Sequence, residues 1–146
     1  MIWVITANSN TCRIYHFDKH LKKITLLKEI NHPENKLKNS DYLTTDKPGH
    51  YKTDATNGGA YSPHSDPKEV IIDNFAREIA HELNRGRNNH DYKTLIIITP
   101  PHMRGLLSLH LDKHVSDLIS HDIHKDVTHL PAHELLDMLH NDAQYG

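Results

Sequence analysis

The 146-residue sequence predicts one α/β domain, built on a mixed sheet of about five strands with about three to four helices. Three observations support this prediction. Residues 1–30 carry three short β patterns, residues 66–86 carry a strong helical pattern, and residues 95–99 form a continuous β-branched run. We therefore expect an N-terminal antiparallel meander followed by parallel strands that are reached through helical crossovers.

The three N-terminal strands are predicted from apolar patterns that stop at turn-forming residues. Residues 2–7 form an apolar run that ends at Asn8, and residues 12–17 and 24–30 alternate in the manner of half-buried strands. Short turns between successive strands favour antiparallel pairing. Residues 32–66 show neither period, and a long loop of this kind in a compact domain is typically functional or disordered.

A long helix is predicted to start after the loop. Asp66 suits the N-cap, Pro67 the first helical position and Glu69 the acidic position of a capping box. Apolar residues then recur every three or four positions over 72–83, and Gly86 is expected at the C′ position, where it would end the helix.

The remaining elements follow from shorter patterns. The run at 95–99 is typical of a strand covered on both faces, and Pro100 ends it. We expect a helix at 102–111, a short helix from Asp112, a fifth strand at 119–124 and a last helix that Pro131 opens.

Composition excludes several classes of protein. No apolar run approaches the length of a membrane span, and the N-terminal residues lack the pattern of a signal peptide. The single cysteine, Cys12, cannot form an internal disulfide, and in mid-strand it is expected to be buried and structural. The sequence thus favours a cytoplasmic protein with no membrane partner.

Charge is distributed unevenly along the chain. Residues 1–52 hold nine Lys or Arg against five Asp or Glu, a net charge of +4, whereas residues 53–146 have a net charge of −6. Such polarity can orient a protein on a charged partner, although an unevenly solvated surface explains it equally well.

The 15 histidines do not form a recognisable ligand set. Three pairs are spaced i, i+4, but none has the HExxH form, and the apolar strands offer no acidic cluster for a two-metal nuclease. We expect no metal and no other cofactor, assign no catalytic residue, and leave open whether the protein is an enzyme.

A first candidate site lies beyond the carboxyl ends of the fourth and fifth strands, where parallel sheets bind ligands. If these strands are parallel, side chains that follow each would face one another across a crevice. The candidates are His102, Arg104, Lys125, Asp126, Thr128 and His129. The alternative is that Asp126 and Thr128 make turn and capping hydrogen bonds for the last helix.

The long loop is a second candidate, because aromatic residues can stack on bases and lysines can neutralise phosphates. Its candidate RNA-binding residues are Lys36, Lys38, Lys47, Lys52 and Tyr61. Acidic residues of the loop nearly cancel the positive charge of these lysines. The alternative is that the loop forms a lid or a subunit contact, in a homodimer for example.

Several motifs resemble those of the bacterial host attachment protein family, and together they span nearly the whole chain. The motifs are NHPE at 31–34, DKPG at 46–49, DPKE at 66–69, FAREIA at 75–80, TLIIITPP at 94–101 and KDVTHL at 125–130. That family is named for attachment to host cells.

The family is in turn similar to the central domain of archaeal and eukaryotic peptide-chain release factors. There, a Gly-Gly-Gln loop before a long helix enters the ribosomal peptidyl-transferase centre. Gly58 and Gly59 lie in the corresponding position here and join the candidate RNA-binding residues, but Ala60 replaces the glutamine.

The resemblance implies an RNA-associated binding module whose partner is tRNA or the ribosome. One alternative is a small hydrolase or a protein that binds a phosphate or nucleotide ligand in the crevice. A second alternative is a protein-interaction factor in host attachment.

Overall fold

The computed structural model describes residues 1–32 and 66–142, and it confirms the mixed α/β fold. Five strands and four helices follow one another in this part of the chain. They are β1 (Ile2–Ala7), β2 (Thr11–Asp18), β3 (Lys23–Asn31), α1 (Pro67–Asn88), β4 (Thr94–Ile98), α2 (Pro101–His110), α3 (Lys113–Ser116), β5 (Ile119–Ile123) and α4 (Ala132–Asp142).

The strands form one sheet in the order β3-β2-β1-β4-β5. β1 pairs antiparallel with β2, and β2 pairs antiparallel with β3, which gives the expected meander. β1 also pairs parallel with β4, and β4 pairs parallel with β5. The open sheet therefore changes from antiparallel to parallel pairing at β1.

Each face of the sheet carries its own hydrophobic core. On one face, Trp3 and Ile5 of β1 pack with α1, α2 and α3; on the other, Val4 of β1 packs with α4. β4 contributes to both cores in the same alternating way, so the apolar run predicted to be covered on both faces is covered on both. Among the described helices, none is long and apolar enough to cross a membrane.

The start of α1 agrees with the sequence prediction, but its end does not. The Asp66 side chain caps the helix by accepting a 2.9 Å hydrogen bond from the Lys68 N–H. Gly86, predicted as the residue that ends the helix, is buried inside it, and α1 continues to Asn88. The prediction of a C′ glycine was therefore wrong.

Gly86 is needed for close packing rather than for a turn. A Cβ atom at this position would lie 2.6 Å from Cη2 and 2.8 Å from Cζ3 of Trp3. The Trp3 ring in turn packs on the Tyr92 ring, with 4.7 Å between the ring centroids. Because only glycine leaves room for the indole, α1 can approach β1 closely.

Three histidines hold neighbouring elements to α1 through polar contacts. Nε2 of His110 lies 2.9 Å from Asp73, Nε2 of His102 lies 3.1 Å from Glu69, and Nε2 of His32 lies 2.8 Å from a carboxylate oxygen of Glu78. The partner of Glu69 is thus a histidine of α2 rather than a backbone group in a capping box.

Replacing Gly86 with alanine is expected to destabilise the protein. The added methyl would overpack the Trp3 site at a cost of about 1–3 kcal/mol, against a gain in helix propensity of about 1 kcal/mol. Gly105 in α2 is the matched control, since a Cβ there meets nothing within 4 Å. In urea denaturation, Gly86→Ala should lower the free energy of unfolding and Gly105→Ala should raise it; equal effects would contradict this account.

Candidate functional site

The carboxyl ends of β1, β4 and β5 meet at one edge of the sheet, which we call the carboxyl edge. From β1 the chain continues to β2 and β3 on one side, and later to β4 and β5 on the other. The edge between β1 and β4 is therefore a topological switch point, the place where open α/β sheets bind ligands. Residues 8–10, 99–101 and 124–130 lie at this edge.

Asn8 connects the turn after β1 to the loop after β5. Its Oδ1 accepts hydrogen bonds from the backbone N–H groups of Asn10 at 2.8 Å and Thr11 at 3.0 Å. Its Nδ2 donates to Asp126 Oδ2 at 3.1 Å and to Thr128 Oγ1 at 3.0 Å. One amide thus shapes the β1–β2 turn and holds the distant loop on it.

Asp126 completes this connection within the loop. Its Oδ1 accepts from the Thr128 N–H at 3.1 Å and from the Thr128 hydroxyl at 2.8 Å. Burial opposes ionisation of Asp126, but the hydrogen bonds from Asn8 and Thr128 outweigh it, and the pKa lies below its usual value. This contribution to stability is present above the ordinary carboxyl pKa and is lost as the pH falls through the lowered one.

Arg13 on β2 adds a second connection to the same loop. Its Nη1 donates to the Thr128 carbonyl at 2.9 Å, and its Nε pairs with Glu29 of β3 at 2.8 Å. The loop is therefore held by the turn after β1 and by β2, and Glu29 of β3 in turn holds the Arg13 side chain. The turn hydrogen bonds that the sequence offered as the alternative for Asp126 and Thr128 are present. Further hydrogen bonds connect the same loop to Asn8 and Arg13, near the start of the chain.

Arg104 belongs to a different network. Its Nε donates to both carboxylate oxygens of Asp122 on β5, at 2.9 and 3.0 Å, and its Nη1 donates to Ser108 at 2.8 Å. His124 also contacts Asp122, at 3.3 Å. Among residues 1–32 and 66–142, no hydrogen bond or ion pair joins Arg104 or His102 to residues 125–129.

The fold explains why the crevice candidates divide into two groups. Met103 and Leu107 of α2 pack in the core with α1, whereas Val127 and Leu130 pack in the core with α4. His102 and Arg104 thus approach the edge from one face, and Lys125, Asp126, Thr128 and His129 approach it from the other. Their predicted role in binding a ligand stays a prediction.

Three buried oxygen atoms near the carboxyl edge have no hydrogen-bond partner among residues 1–32 and 66–142. They are Oγ1 of Thr6 near the end of β1, Oγ1 of Thr99 directly after β4, and Oδ1 of Asn10 in the β1–β2 turn. Buried polar atoms are rarely left unpaired, because each costs about 1–3 kcal/mol. These atoms are the strongest sign in the described chain that a polar group can be bound here.

Two other predictions concern metal binding and the long loop. Within residues 1–32 and 66–142, no three His, Cys, Asp or Glu side chains are arranged to hold a metal ion. The loop candidates lie outside the described residues; they are Lys36, Lys38, Lys47, Lys52, Gly58, Gly59 and Tyr61.

The sequence does not reveal the central role of Asn8 at the carboxyl edge. Asn8 was interpreted only as a turn former, although an amide directly after a buried strand is well placed to bind other segments of that edge. Asp122 and Glu29 gave no signal, because their partners are set by strand register and helix packing.

Asn8→Ala is expected to lower the free energy of unfolding by about 1–3 kcal/mol, because it leaves polar groups of the loop and turn without partners. Asp126→Ala should also be destabilising, and the double variant should cost less than the sum by about 0.5–3 kcal/mol. Asn10→Ala is the control, since its side-chain oxygen has no partner. Additive effects in urea denaturation would contradict the connection.

Solved structures of other proteins resemble this fold, among them two from archaea. One is an archaeal protein with a TM-score of 0.53 at 12% identity, and the match covers 99% of this chain and 34% of that protein. The other is the crystal structure of the archaeal translation termination factor aRF1, with a TM-score of 0.56 at 14% identity. The match covers 99% of this chain and 36% of that factor. At these identities the likeness concerns the fold, and this chain spans about a third of either protein's length.

Comparison with known sequences gives the family. No curated protein sequence matches the chain. The profile of the family described as "Protein required for attachment to host cells" matches residues 3–139, so the chain belongs to the host attachment family.

Proposed function

We propose that this protein is an RNA- or ribosome-associated binding module. The observation that carries the proposal is the fold, which an archaeal translation termination factor shares over 99% of this chain. Translation termination takes place on the ribosome, so the shared fold supports a role beside the same machinery. The chain spans 36% of that factor, and we propose binding rather than the activity of the whole protein.

The sequence supports binding without peptidyl-tRNA hydrolysis. Gly58 and Gly59 precede α1, as a Gly-Gly-Gln loop precedes a helix in release factors, but Ala60 follows them. A backbone N–H remains at Ala60, whereas the glutamine side chain is missing. The net charge of +4 over residues 1–52 favours attraction to phosphate groups.

The proposal is tested by the salt dependence of binding to bulk tRNA and to purified ribosomes. Each phosphate contact contributes about 0.7–0.9 to the slope of log affinity against log salt, so Lys36→Glu/Lys38→Glu should weaken binding and flatten the slope by about 1–2. Lys68→Glu/Lys113→Glu is the control of equal charge, because both lysines are exposed on helices. Absent or salt-independent binding would contradict the proposal.

A second candidate function is the binding or hydrolysis of a small ligand bearing a phosphate or nucleotide group. The observation that favours it is two buried hydroxyls near the switch point, those of Thr6 and Thr99, which lack partners among residues 1–32 and 66–142. A ligand oxygen or a bound water beside either hydroxyl would satisfy it. In this case Arg104 and His102, near the start of α2, would approach the ligand from one face.

Thr99→Val separates the two candidates. Removing an unpaired buried hydroxyl should raise the melting temperature of the ligand-free protein, because the desolvation cost of about 1–3 kcal/mol disappears. The same change should abolish any thermal shift caused by phosphate, nucleotides or divalent cations, and Arg104→Ala should reduce it. If no such compound shifts the wild-type protein, the second candidate fails.

A further inference from the structure

The turn between β2 and β3 is built so that it presents lysines. Residues 19–22 form the turn, and Lys23 begins β3. Oδ1 of Asp18 accepts hydrogen bonds from the backbone N–H groups of His20 and Leu21, both at 3.0 Å, and Lys22 takes the left-handed conformation with φ of 51°. The only acid of the segment is thus engaged in shaping it.

The side chains of this turn extend into solvent. All residues from 19 to 23 are exposed, and Leu21 reaches 71% exposure. The hydrogen bonds from the Leu21 and His20 N–H groups lower the pKa of Asp18, which keeps its carboxylate in the acceptor state that the turn requires. The segment from 18 to 23 holds three lysines against one acid.

Five other cations of the described surface pair with carboxylates. The ion pairs are Arg13–Glu29, Lys28–Glu82, Arg77–Asp73, Arg85–Glu82 and Arg104–Asp122. Lys22 and Lys23 have no ion pair within residues 1–32 and 66–142. Their charges are therefore available to a partner outside the chain, with no intramolecular pair to break first.

Strand register places a further lysine on the same edge of the sheet. Asp18 is opposite Lys23, whereas Ile2 is opposite both Phe17 and Thr94. Lys93, the exposed residue before β4, thus lies with the turn at the end of the sheet where β1 and β4 begin, which we call the amino edge. Three strand spacings separate β3 from β4, about 14 Å in all, which is comparable to two or three nucleotides of an extended backbone.

We propose that the basic surface of the amino edge, formed by Lys19, Lys22, Lys23 and Lys93, contacts the phosphodiester backbone of RNA. This inference rests on the proposed function and names the surface that carries it. Lysine ammonium groups on a rigid edge neutralise phosphates without reading base sequence, and binding releases condensed counterions. The exposed Leu21 lies among these lysines and offers apolar contact to a sugar or a base.

The test compares two double variants of equal charge. Lys22→Gln/Lys23→Gln removes two charges from the amino edge, and Lys68→Gln/Lys113→Gln removes two exposed charges from α1 and α3. Fluorescence anisotropy with labelled bulk tRNA, from 50 to 200 mM salt on the full chain, gives the slope of log affinity against log salt. The first variant should flatten the slope by about 1.5–2 and the second should leave it unchanged.

The outcomes distinguish this inference from the function on which it rests. If wild-type protein binds tRNA and both variants keep its slope, the amino edge is not the contact surface and the proposed function stands. If wild-type protein binds neither tRNA nor purified ribosomes, the inference and the proposed function are both overturned. Binding to vesicles of anionic phospholipid without binding to tRNA would also overturn the inference. Circular dichroism serves as the control that each variant is folded.

Discussion

The structure depends on β1 being buried on every side. Hydrogen bonds to β2 and β4 occupy both of its edges, and its side chains alternate between the two cores. Since it pairs antiparallel on one side and parallel on the other, its direction decides which loops meet at each edge of the sheet. The close approach of α1, which Trp3 and Gly86 permit, covers one face of this strand.

The two edges of the sheet use their polar groups differently. At the carboxyl edge, Asn8, Arg13, Asp126 and Thr128 bind one another, so most of their hydrogen-bonding capacity serves to hold the loop after β5. At the amino edge, Asp18 alone organises a turn whose lysines remain exposed. The polar groups of the carboxyl edge are therefore largely engaged with one another, whereas the lysines of the amino edge extend into solvent.

Patterns within one element were readable from the sequence, and contacts between elements were not. The bounds of β1 match the predicted 2–7, because a turn-forming residue, Asn8, directly follows the short apolar run. Gly86 was misread because a glycine that ends a helix and one that admits an indole look alike until Trp3 is placed. Likewise, the pairing of Asn8 with Asp126, 118 positions apart, depends on the sheet order. The crevice candidates divided because α2 and the loop after β5 lie on opposite faces.

Cys12 shows what full burial does to a reactive group. Its thiol is inaccessible to solvent in the core against α1, and burial, assisted by the nearby Glu82 and Glu78 carboxylates, raises its pKa. The thiolate is the reactive form, so the folded protein resists alkylating and oxidising reagents at this atom. As the single cysteine of the chain, it becomes available only when β2 separates from α1. Cys12 is therefore a built-in reporter of the opening of this core, and the rate at which its thiol is modified measures how often the core opens.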